Sequence, residues 1–519
     1  MPRKALFLQG GTALLAAAAA AAGRKAVFCG SVTGSAEQNR FLPLGWEDAL
    51  FFLLFAAAFF LALRLLERGR ASVHRALFCP DGQRAGGSRV FFLFWALLCL
   101  AWLPYLLTLA PGSVLGDSLS SLELDWKNNH HPVLYNLYVQ LLFRLGSRKS
   151  ANCGIFLYTL IQYAVLSGAL AGILRLLYDR RLRLPWLLLA LGFYAFFPVF
   201  PSYAVILWKD PLFSLALAGL SFLLPQLGSD TPRRRAARIG AVLGVCFLRN
   251  NGIYICAGIC MLLLLRKCRG KGVRRFCLLT LLCVLIQGPG YRLLGIEGDD
   301  VEAFSIPLQQ LGYVISEEGD TLTEPQLERL SAFLPAEEWK EAYTPCLADS
   351  VKWHADFDND YFESHKKEFL LLWAELLPEH PGGYVKAYLL ETLGFWHPTL
   401  QNGYGYIDQY ILPNGLGIHA VDLFERLFGV SLRERLESFR PMLGSGLLFW
   451  AAAGSLSLCS GPERRKRLYY APQLLCWAGI MVATPVAFSL RYVFILLLLL
   501  PVNLVWPFSE ARAAGEETT

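Results

Sequence analysis

AARIGAVLGVCFLRNNGIYICAGICMLLLL, residues 236–265, is the stretch that decides how this chain is organised. It is apolar at both ends and is broken at its centre by the sequence Arg249-Asn250-Asn251-Gly252. Basic clusters flank it, at 233–238 and at 266–275. Because basic loops of membrane proteins stay on the cytoplasmic side, an even number of crossings must separate the two clusters. The stretch therefore predicts a helical hairpin with Arg249 at its outer tip, rather than one span with a buried arginine.

The composition agrees with a membrane protein. Of the 519 residues, 55% are hydrophobic and only 17% are charged, and the mean hydropathy is +0.41. Soluble domains carry about 25% charged residues. A soluble enzyme, a disordered chain and a nucleic-acid-binding protein are therefore excluded, and no nucleic-acid partner is expected. The 13 cysteines show no spacing typical of a disulfide framework or a zinc site.

Apolar blocks of bilayer-spanning length recur along the whole chain. With the hairpin, they predict an all-α polytopic membrane protein of about 12 transmembrane helices, a multi-pass protein of the cell membrane with both termini cytoplasmic. The first block is open to interpretation as a signal peptide, but its length and the Arg24-Lys25 that follows favour a retained span. The predicted spans are 5–22, 49–66, 90–109, 153–177, 184–199, 212–227, the two arms of 236–265, 276–293, 442–458, 468–488 and 492–506.

Charge divides the chain into two kinds of segment. Between Arg292 and Arg440 there are 11 basic and 26 acidic residues, a balance of −15, whereas the remainder has a balance of +22. The acidic segment predicts a water-soluble, mainly helical, extracytoplasmic insert. The predicted organisation is an N-terminal transmembrane hairpin with a basic cytoplasmic loop (1–89), a transmembrane core with a large outer loop at 110–150 (90–294), the acidic extracytoplasmic domain (295–441), and C-terminal transmembrane helices with a cytoplasmic tail (442–519).

The outer loop after the third predicted span carries the most informative polar sequence, PGSVLGDSLSSLELDWKNNHHPVLY at 111–135. Asp117 stands about one helical turn beyond the apolar run, and His130 and His131 precede an apolar segment typical of an interfacial helix. This order would bring a carboxylate and two imidazoles to the edge of the lipid phase. An equally open interpretation is that Asp117 and His131 only cap the helical turns that follow them.

Three other outer turns each carry an isolated cation. They are Trp208-Lys209-Asp210-Pro211, Arg249-Asn250-Asn251 and Ser489-Leu490-Arg491-Tyr492. Each cation alone could simply extend toward lipid headgroups. Together, and beside the acids of the loop at 111–135, they favour a phosphate site, because Arg and Lys are the natural ligands of phosphate. The expected ligand is the phosphate or diphosphate of a lipid carrier.

In order along the chain, these motifs and Ile306-Pro307-Leu308-Gln309-Gln310-Leu311 resemble the GT-C superfamily of membrane glycosyltransferases, which use polyprenyl-phosphate-linked sugars at the outer face. They are also similar to a bacterial family of uncharacterised multi-pass proteins, the domain-of-unknown-function family 6020. The resemblance covers most of the chain from about residue 90 onward. It departs from several GT-C families at Gly116-Asp117-Ser118, where those families have an Asp-Glu pair.

The resemblance implies a GT-C-like fold and an inverting sugar transfer. Asp117 would act as general base, and His130 and His131 would complete the catalytic side toward the acceptor. The partners would be a lipid-phosphate-linked sugar as donor substrate, a glycan, lipid or protein as acceptor, and membrane lipids. No metal site is predicted, although a divalent cation remains an open cofactor. The implied substrate-binding residues are Lys209, Asp210, Arg249, Asn250, Gln309, Gln310, Arg491 and Tyr492.

Two further functions would also require the binding of a lipid-linked phosphate. A transporter or flippase of a lipid-linked glycan should carry ionisable residues near the midplane of several spans, whereas here they gather at one face. An enzyme similar to O-antigen ligases or polymerases would also use outer Arg and His residues. Within the insert, Asp356-Phe357-Asp358-Asn359-Asp360 resembles a calcium loop but lacks its Gly and Glu, so a helix start is the preferred interpretation.

Overall fold

The computed structural model describes residues 2–80, 87–228, 231–298, 300–459, 464–483 and 485–509. Within these ranges the chain is mostly helical, as predicted. The two strands of the described residues, β1 (Ala26–Val27) and β2 (Arg40–Phe41), form one short antiparallel ribbon. The predicted cytoplasmic tail beyond Ser509 lies outside the described residues.

The N-terminal helices form an antiparallel pair. α1 and α2 pack along their length, and Lys25 at the end of α1 pairs with Glu47 and Asp48 at the start of α2, at 3.1 and 3.0 Å. Acidic side chains are favourable in the first turn of a helix, where the backbone N–H groups are unpaired. The helices of this part are α1 (Pro2–Lys25), α2 (Trp46–Arg68), α3 (Arg70–Leu77) and α4 (Gly87–Thr108).

The central part supplies most of the remaining apolar helices. A single hydrophobic core joins them to α4 and to the C-terminal helices. The helices of this part are α5 (Gly116–Glu123), α6 (Val133–Ser147), α7 (Ala151–Asp179), α8 (Leu184–Phe196), α9 (Val199–Val205), α10 (Lys209–Leu223), α11 (Pro232–Leu248), α12 (Gly252–Leu265), α13 (Lys271–Leu285) and α14 (Tyr291–Leu293). A π-helical turn, Ile286–Gly290, joins α13 to α14.

The stretch 236–265 folds as the predicted hairpin. It breaks at Arg249–Asn251 into α11 and α12, and these two helices pack together. α11 has 17 residues and α12 has 14, so they are about 25 and 21 Å long at 1.5 Å per residue. Both are shorter than the roughly 30 Å hydrocarbon core of a bilayer.

Five helical stretches of the described residues are long and apolar enough to cross a membrane. Two further helix pairs, α8 with α9 and Leu490–Leu498 with Leu500–Phe508, are bent by 46° and 45° and raise the count to seven if each pair is one span. Other predicted spans correspond to shorter helices, such as α10 and α12, and the number 12 remains a prediction. The five are Ala5–Lys25, Trp46–Arg68, Gly87–Thr108, Ala151–Asp179 and Lys271–Leu293.

The insert has a hydrophobic core of its own, built on Leu311, Trp339, Phe362 and Phe369. Asp358 caps α19 by accepting the N–H of Tyr361 at 2.8 Å, which confirms the helix start predicted for this acidic turn. The helices of the insert are α15 (Ser305–Glu317), α16 (Glu324–Ser331), α17 (Ala336–Ala342), α18 (Asp349–Lys352), α19 (Asn359–Leu376), α20 (Pro381–Glu391), α21 (Leu393–Trp396), α22 (Leu423–Phe428) and α23 (Arg433–Glu437).

The chain returns to the membrane part before the insert ends. Ile411 pairs with Val114, and Ile418 is buried in a small core with α6 and α7. The insert therefore covers the loop at 111–135 that carries Asp117. The last helices are α24 (Ser445–Leu458), α25 (Ala471–Val482), α26 (Phe494–Leu498) and α27 (Leu500–Val505).

α6 is the helix predicted at the interface, and it carries an exposed apolar stripe. Leu134, Leu137, Leu141 and Leu145 share one face and are each 45–57% exposed. The opposite face packs on α7. A row of leucines left uncovered on an otherwise well-packed helix is typical of contact with lipid. The stripe begins three residues after His131.

Candidate functional site

Asp117 lies in the first turn of α5, on a loop that is held from two sides. Val114 forms a parallel bridge with Ile411, which ties the loop to the end of the insert. Ser118 Oγ donates a hydrogen bond to the Leu207 carbonyl at 2.8 Å, which ties α5 to the segment before α10. The position of the Asp117 carboxylate is thus fixed by contacts with two distant parts of the chain.

The Asp117 side chain does not cap α5. Leu115 occupies the N-cap, and its N–H donates a hydrogen bond to Ser118 Oγ at 3.1 Å. Asp117 Oδ2 instead accepts a hydrogen bond from Arg491 Nη1 at 2.9 Å, with 40% of the Asp117 side chain and 15% of the Arg491 side chain exposed. The capping interpretation of Asp117 is therefore wrong, because its carboxylate pairs with a cation from the C-terminal helices.

Aromatic rings hold the guanidinium of Arg491. Its carbon lies 4.9 Å from the centroid of Trp208 and 4.7 Å from that of Tyr492, and Nη2 donates to the Tyr492 hydroxyl at 2.6 Å. The Tyr492 ring also lies 4.5 Å from the guanidinium carbon of Arg249. Cation–π contacts with one ring therefore bring two arginines to the same place.

Lys209 and His131 form a second contact beside Asp117. Lys209 Nζ lies 2.7 Å from His131 Nδ1, and His131 does not cap α6, whose N-cap is Pro132. Burial lowers the pKa of the His131 imidazole to about 2, and the charge of Lys209 adds to the effect. The ring is neutral, and with Lys209 donating to Nδ1 its proton is on Nε2. Nε2 is buried without a hydrogen-bond partner among the described residues.

Asp210 and Arg249 complete the cluster. Arg249 Nη1 lies 2.9 Å from Asp210 Oδ1, and the two side chains are 11% and 2% exposed. The two atoms are close enough for an ion pair but are not aligned for a hydrogen bond. Since breaking a buried ion pair leaves a costly unpaired charge, this pair fixes the tip of the α11–α12 hairpin against α10.

The electrostatic balance of the cluster favours an anion. Burial by itself would raise the pKa of the Asp117 carboxyl, but the charges of Arg491 and Lys209 outweigh it and hold that pKa below its ordinary value. Asp117 is therefore ionised at neutral pH. Three cations face two carboxylates and a neutral histidine, and an excess of one positive charge remains among these six side chains.

Asn250 and His130 shape the rim of the cluster. Asn250 Nδ2 donates to the Asn129 carbonyl at 2.9 Å, so the hairpin tip supports the backbone beside the two histidines. The His130 ring lies 4.6 Å from the His131 ring and 6.0 Å from the ring of Trp353, centroid to centroid. The insert thus reaches the histidine side of the cluster through Trp353.

Gln309 and Gln310 do not join the cluster. Both are buried on α15 inside the insert, where Gln309 donates to the Thr344 carbonyl at 3.0 Å and Gln310 to the Tyr384 carbonyl at 3.2 Å. Gln310 also accepts from Trp373 Nε1 at 2.7 Å. The hydrogen bonds of both side chains are made to residues of the insert, and their role in substrate binding stays a prediction.

The structure adds residues that sequence reasoning did not select. Trp208 directly precedes Lys209, so the motif that pointed to Lys209 could also have pointed to the ring that contacts Arg491. Trp353 is 48% exposed, and no local pattern placed it near the site. Tyr404, in the aromatic-rich sequence at the end of the insert, is 43% exposed and lies within electrostatic reach of Asp117 and Arg491. Asp408 is a further carboxyl near Arg491; its burial raises its pKa, and the charge of Arg491 opposes the rise.

A possible metal-binding group lies apart, on the insert. Glu338, His354 and Asp356 bring one ligand atom each within 4.8 Å of one another. His354 Nδ1 already accepts the N–H of Asp356 at 3.3 Å, and Asp356 is exposed. The group is an acidic surface feature around a histidine.

Comparison with known families gives one match. Residues 126–519, about three quarters of the chain, match DUF6020, a family of unknown function. The chain belongs to the DUF6020 family. The matched range holds the histidines, Lys209, Asp210, Arg249 and Arg491, and it begins nine residues after Asp117. No curated protein and no solved structure matches this DUF6020 chain.

Proposed function

We propose that this protein is a GT-C-like membrane glycosyltransferase that moves a sugar from a polyprenyl-phosphate-linked donor to a cell-envelope acceptor at the outer face. The observation that carries the proposal is the ion pair of Asp117 with Arg491, set between Lys209 and Arg249. A carboxylate within reach of several fixed cations provides both a base and a site for a phosphate leaving group.

The phosphate of the donor would bind where the cations converge. Arg491 can present two nitrogens to phosphate oxygens, and Lys209 adds a point charge. Its aromatic contacts hold the Arg491 guanidinium in place before substrate arrives, so little reorganisation is needed. Arg249, held by Asp210, adds positive charge against the same Tyr492 ring.

The reaction is a single displacement with inversion at the anomeric carbon. A hydroxyl of the acceptor attacks that carbon and forms the new glycosidic bond, while the bond from the carbon to the phosphate oxygen breaks. The hydroxyl proton passes to Asp117, and the electron pair leaves with the lipid phosphate. The additional negative charge of the phosphate develops beside Arg491 and Lys209, where it is stabilised most.

The ion pair between Asp117 and Arg491 makes the basicity of Asp117 depend on whether the donor is bound. While Asp117 is bound to Arg491 its pKa is low, and a weakly basic carboxylate is a poor proton acceptor. A donor phosphate that takes the place of the carboxylate on Arg491 would release Asp117 and raise its pKa. Donor binding would then activate the base, so that the acceptor is deprotonated only when a leaving group is in place.

The surroundings suit a lipid donor and a sugar-containing acceptor. The leucine stripe of α6 starts beside His131 and offers an apolar path for the isoprenoid chain. Trp353 and Tyr404 are half exposed, and aromatic faces of this kind pack well on the apolar faces of sugars. In this proposal the histidines face the acceptor, both termini are cytoplasmic, the insert is extracytoplasmic and 12 spans form a GT-C-like fold.

The test is transfer of a radiolabelled sugar from a polyprenyl-phosphate donor by purified protein in proteoliposomes. Asp117→Asn should abolish transfer while leaving the protein monodisperse and its Tm in detergent near that of the unaltered protein. Glu123→Gln, an exposed acid on the same helix, is the matched control and should retain activity. Full transfer by Asp117→Asn would remove Asp117 as the base, and Arg491→Ala with unchanged donor affinity would remove the phosphate role.

A further inference from the structure

A cavity of about 320 Å³ lies between α11 and α13, and three of its lining residues are arginines. Arg235 and Arg238 come from the first turns of α11, and Arg275 comes from the second turn of α13. The remaining lining is apolar apart from Gly272 at the start of α13. The apolar members are Ile239, Val242, Phe276, Leu278, Leu279 and Leu282.

The arginines gather at one end of the cavity. α12 returns between α11 and α13, so these two helices run in the same direction and their first turns lie on the same side. The apolar residues follow the arginines along both helices. From Gly272 to Leu282 is ten residues, about 15 Å of helix, which matches one leaflet of a bilayer whose hydrocarbon core is about 30 Å thick.

The cationic end is closely built. A side-chain carbon at Gly272 would lie 3.1 Å from Arg238 Nη1 and 2.2 Å from the Leu227 carbonyl, so the Arg238 guanidinium lies directly over the first turn of α13. Arg238 is buried. At this end of the hairpin, ten Lys and Arg residues at 233–238 and 266–275 stand against one acid, Asp230, so this end is strongly positive.

The cavity lies at the opposite end of α11 from the Asp117 cluster. Arg249 ends α11 at the cluster, and Arg235 is 14 residues before it, about 21 Å along the helix. The side of the cavity toward the lipid is open, since Leu278 and Leu282 are each about half exposed. A ligand can therefore enter from the bilayer.

We propose that this cavity binds one anionic glycerophospholipid, with its phosphate among Arg235, Arg238 and Arg275 and an acyl chain along the apolar lining. Charge complementarity selects this occupant. Three arginines favour a headgroup with net negative charge and repel the ammonium of a zwitterionic one. A free phosphate or nucleotide would leave the apolar part of the cavity uncovered, which disfavours a water-soluble ligand.

The experiment is native mass spectrometry of the detergent-purified full chain with phosphatidylglycerol or phosphatidylcholine of identical acyl chains. The unaltered protein should retain one phosphatidylglycerol and little phosphatidylcholine. Arg275→Gln should lower the retained phosphatidylglycerol about tenfold, because a charge-assisted hydrogen bond to phosphate is lost. Arg269→Gln, an exposed arginine of the same basic segment outside the cavity, should have no effect.

A second variant separates the cavity from general surface charge. Ile239→Trp fills the apolar part without altering any charge and should also displace the lipid. Equal retention of both lipids by the unaltered protein, or equal phosphatidylglycerol retention by Arg275→Gln and Arg269→Gln, would overturn the proposal. Loss of lipid in Arg275→Gln but not in Ile239→Trp would reduce the site to a surface charge effect and would also overturn it.

Discussion

Replacing Asp117 with Asn should strengthen the binding of a lipid phosphate while abolishing sugar transfer. In the resting cluster, the Asp117 carboxylate occupies the Arg491 guanidinium at 2.9 Å, so an incoming phosphate must compete with it. Asn keeps the shape but removes the charge. The variant therefore presents Arg491, Lys209 and Arg249 to the phosphate with one negative charge fewer in the cluster.

The expected gain in phosphate affinity follows from the distance between the charges. Two unit charges about 4 Å apart interact by about 4 kcal/mol at an effective dielectric constant of 20. Because 40% of the Asp117 side chain is exposed, solvent screening reduces this to about 1–2 kcal/mol. At about 1.4 kcal/mol per tenfold change in affinity, the phosphate should bind about 5–30-fold more tightly.

The assay is equilibrium binding of a fluorescent polyprenyl monophosphate, without sugar, to the purified protein in nanodiscs. Arg491→Gln should weaken binding, and the double variant Asp117→Asn/Arg491→Gln should show no gain over Arg491→Gln, because the competition requires both partners. Glu123→Gln is again the matched control and should bind like the unaltered protein. Weaker or unchanged binding by Asp117→Asn would refute the competition between the carboxylate and the phosphate.

Three further predictions concern stability and topology. His131→Gln should reduce the fall in Tm between about pH 7.5 and 5. Because the pKa of His131 is lowered in the folded state, the neutral ring contributes its full stability above the unfolded pKa of about 6.5, and about 2 kcal/mol of that stability is lost by pH 5. An equal fall in Tm for the variant and the unaltered protein would contradict the buried neutral ring. Gly154→Ala should lower Tm by several degrees, because its added carbon would lie 2.6 Å from the Phe143 carbonyl of α6, whereas Gly172→Ala on the same helix meets nothing within 4 Å and should not; equal Tm values would argue against the close α6–α7 contact. In a Cys29→Ser background, Asn250→Cys should react with an impermeant thiol reagent in intact cells, whereas Arg269→Cys should react only after permeabilisation. The reverse labelling pattern would show that the proposed topology is wrong.

The sequence predicted the structural class of the protein and the places where its apolar helices begin and end. The break at Arg249–Asn251 and the helix after Pro132 both appear in the structure where their local patterns placed them. These features depend on neighbouring residues, through apolar periodicity, turn residues and helix caps. Hydropathy gave less guidance on the number of spans, because α10 and α12 are apolar but have only 15 and 14 residues.

The sequence also singled out the side chains of the cluster one by one. Lys209, Arg249 and Arg491 were unusual because each is an isolated cation at the end of an apolar block. Their charge and position identified them as candidates for one phosphate ligand. Gln309 and Gln310 were selected from a resemblance alone, and no property of their own neighbourhood distinguished a substrate contact from a buried hydrogen bond in the insert.

What the sequence determined by itself is therefore a mostly helical chain with helices apolar enough to span a membrane, with basic and acidic segments and with a few isolated charges at the ends of apolar blocks, since hydropathy and charge are local properties. Only the tertiary structure decided which charges pair. Asp117 and Arg491 are 374 residues apart, and their contact depends on how α5, α10 and the C-terminal helices pack. Trp353 meets His130 for the same reason, because the insert folds back over the outer loop.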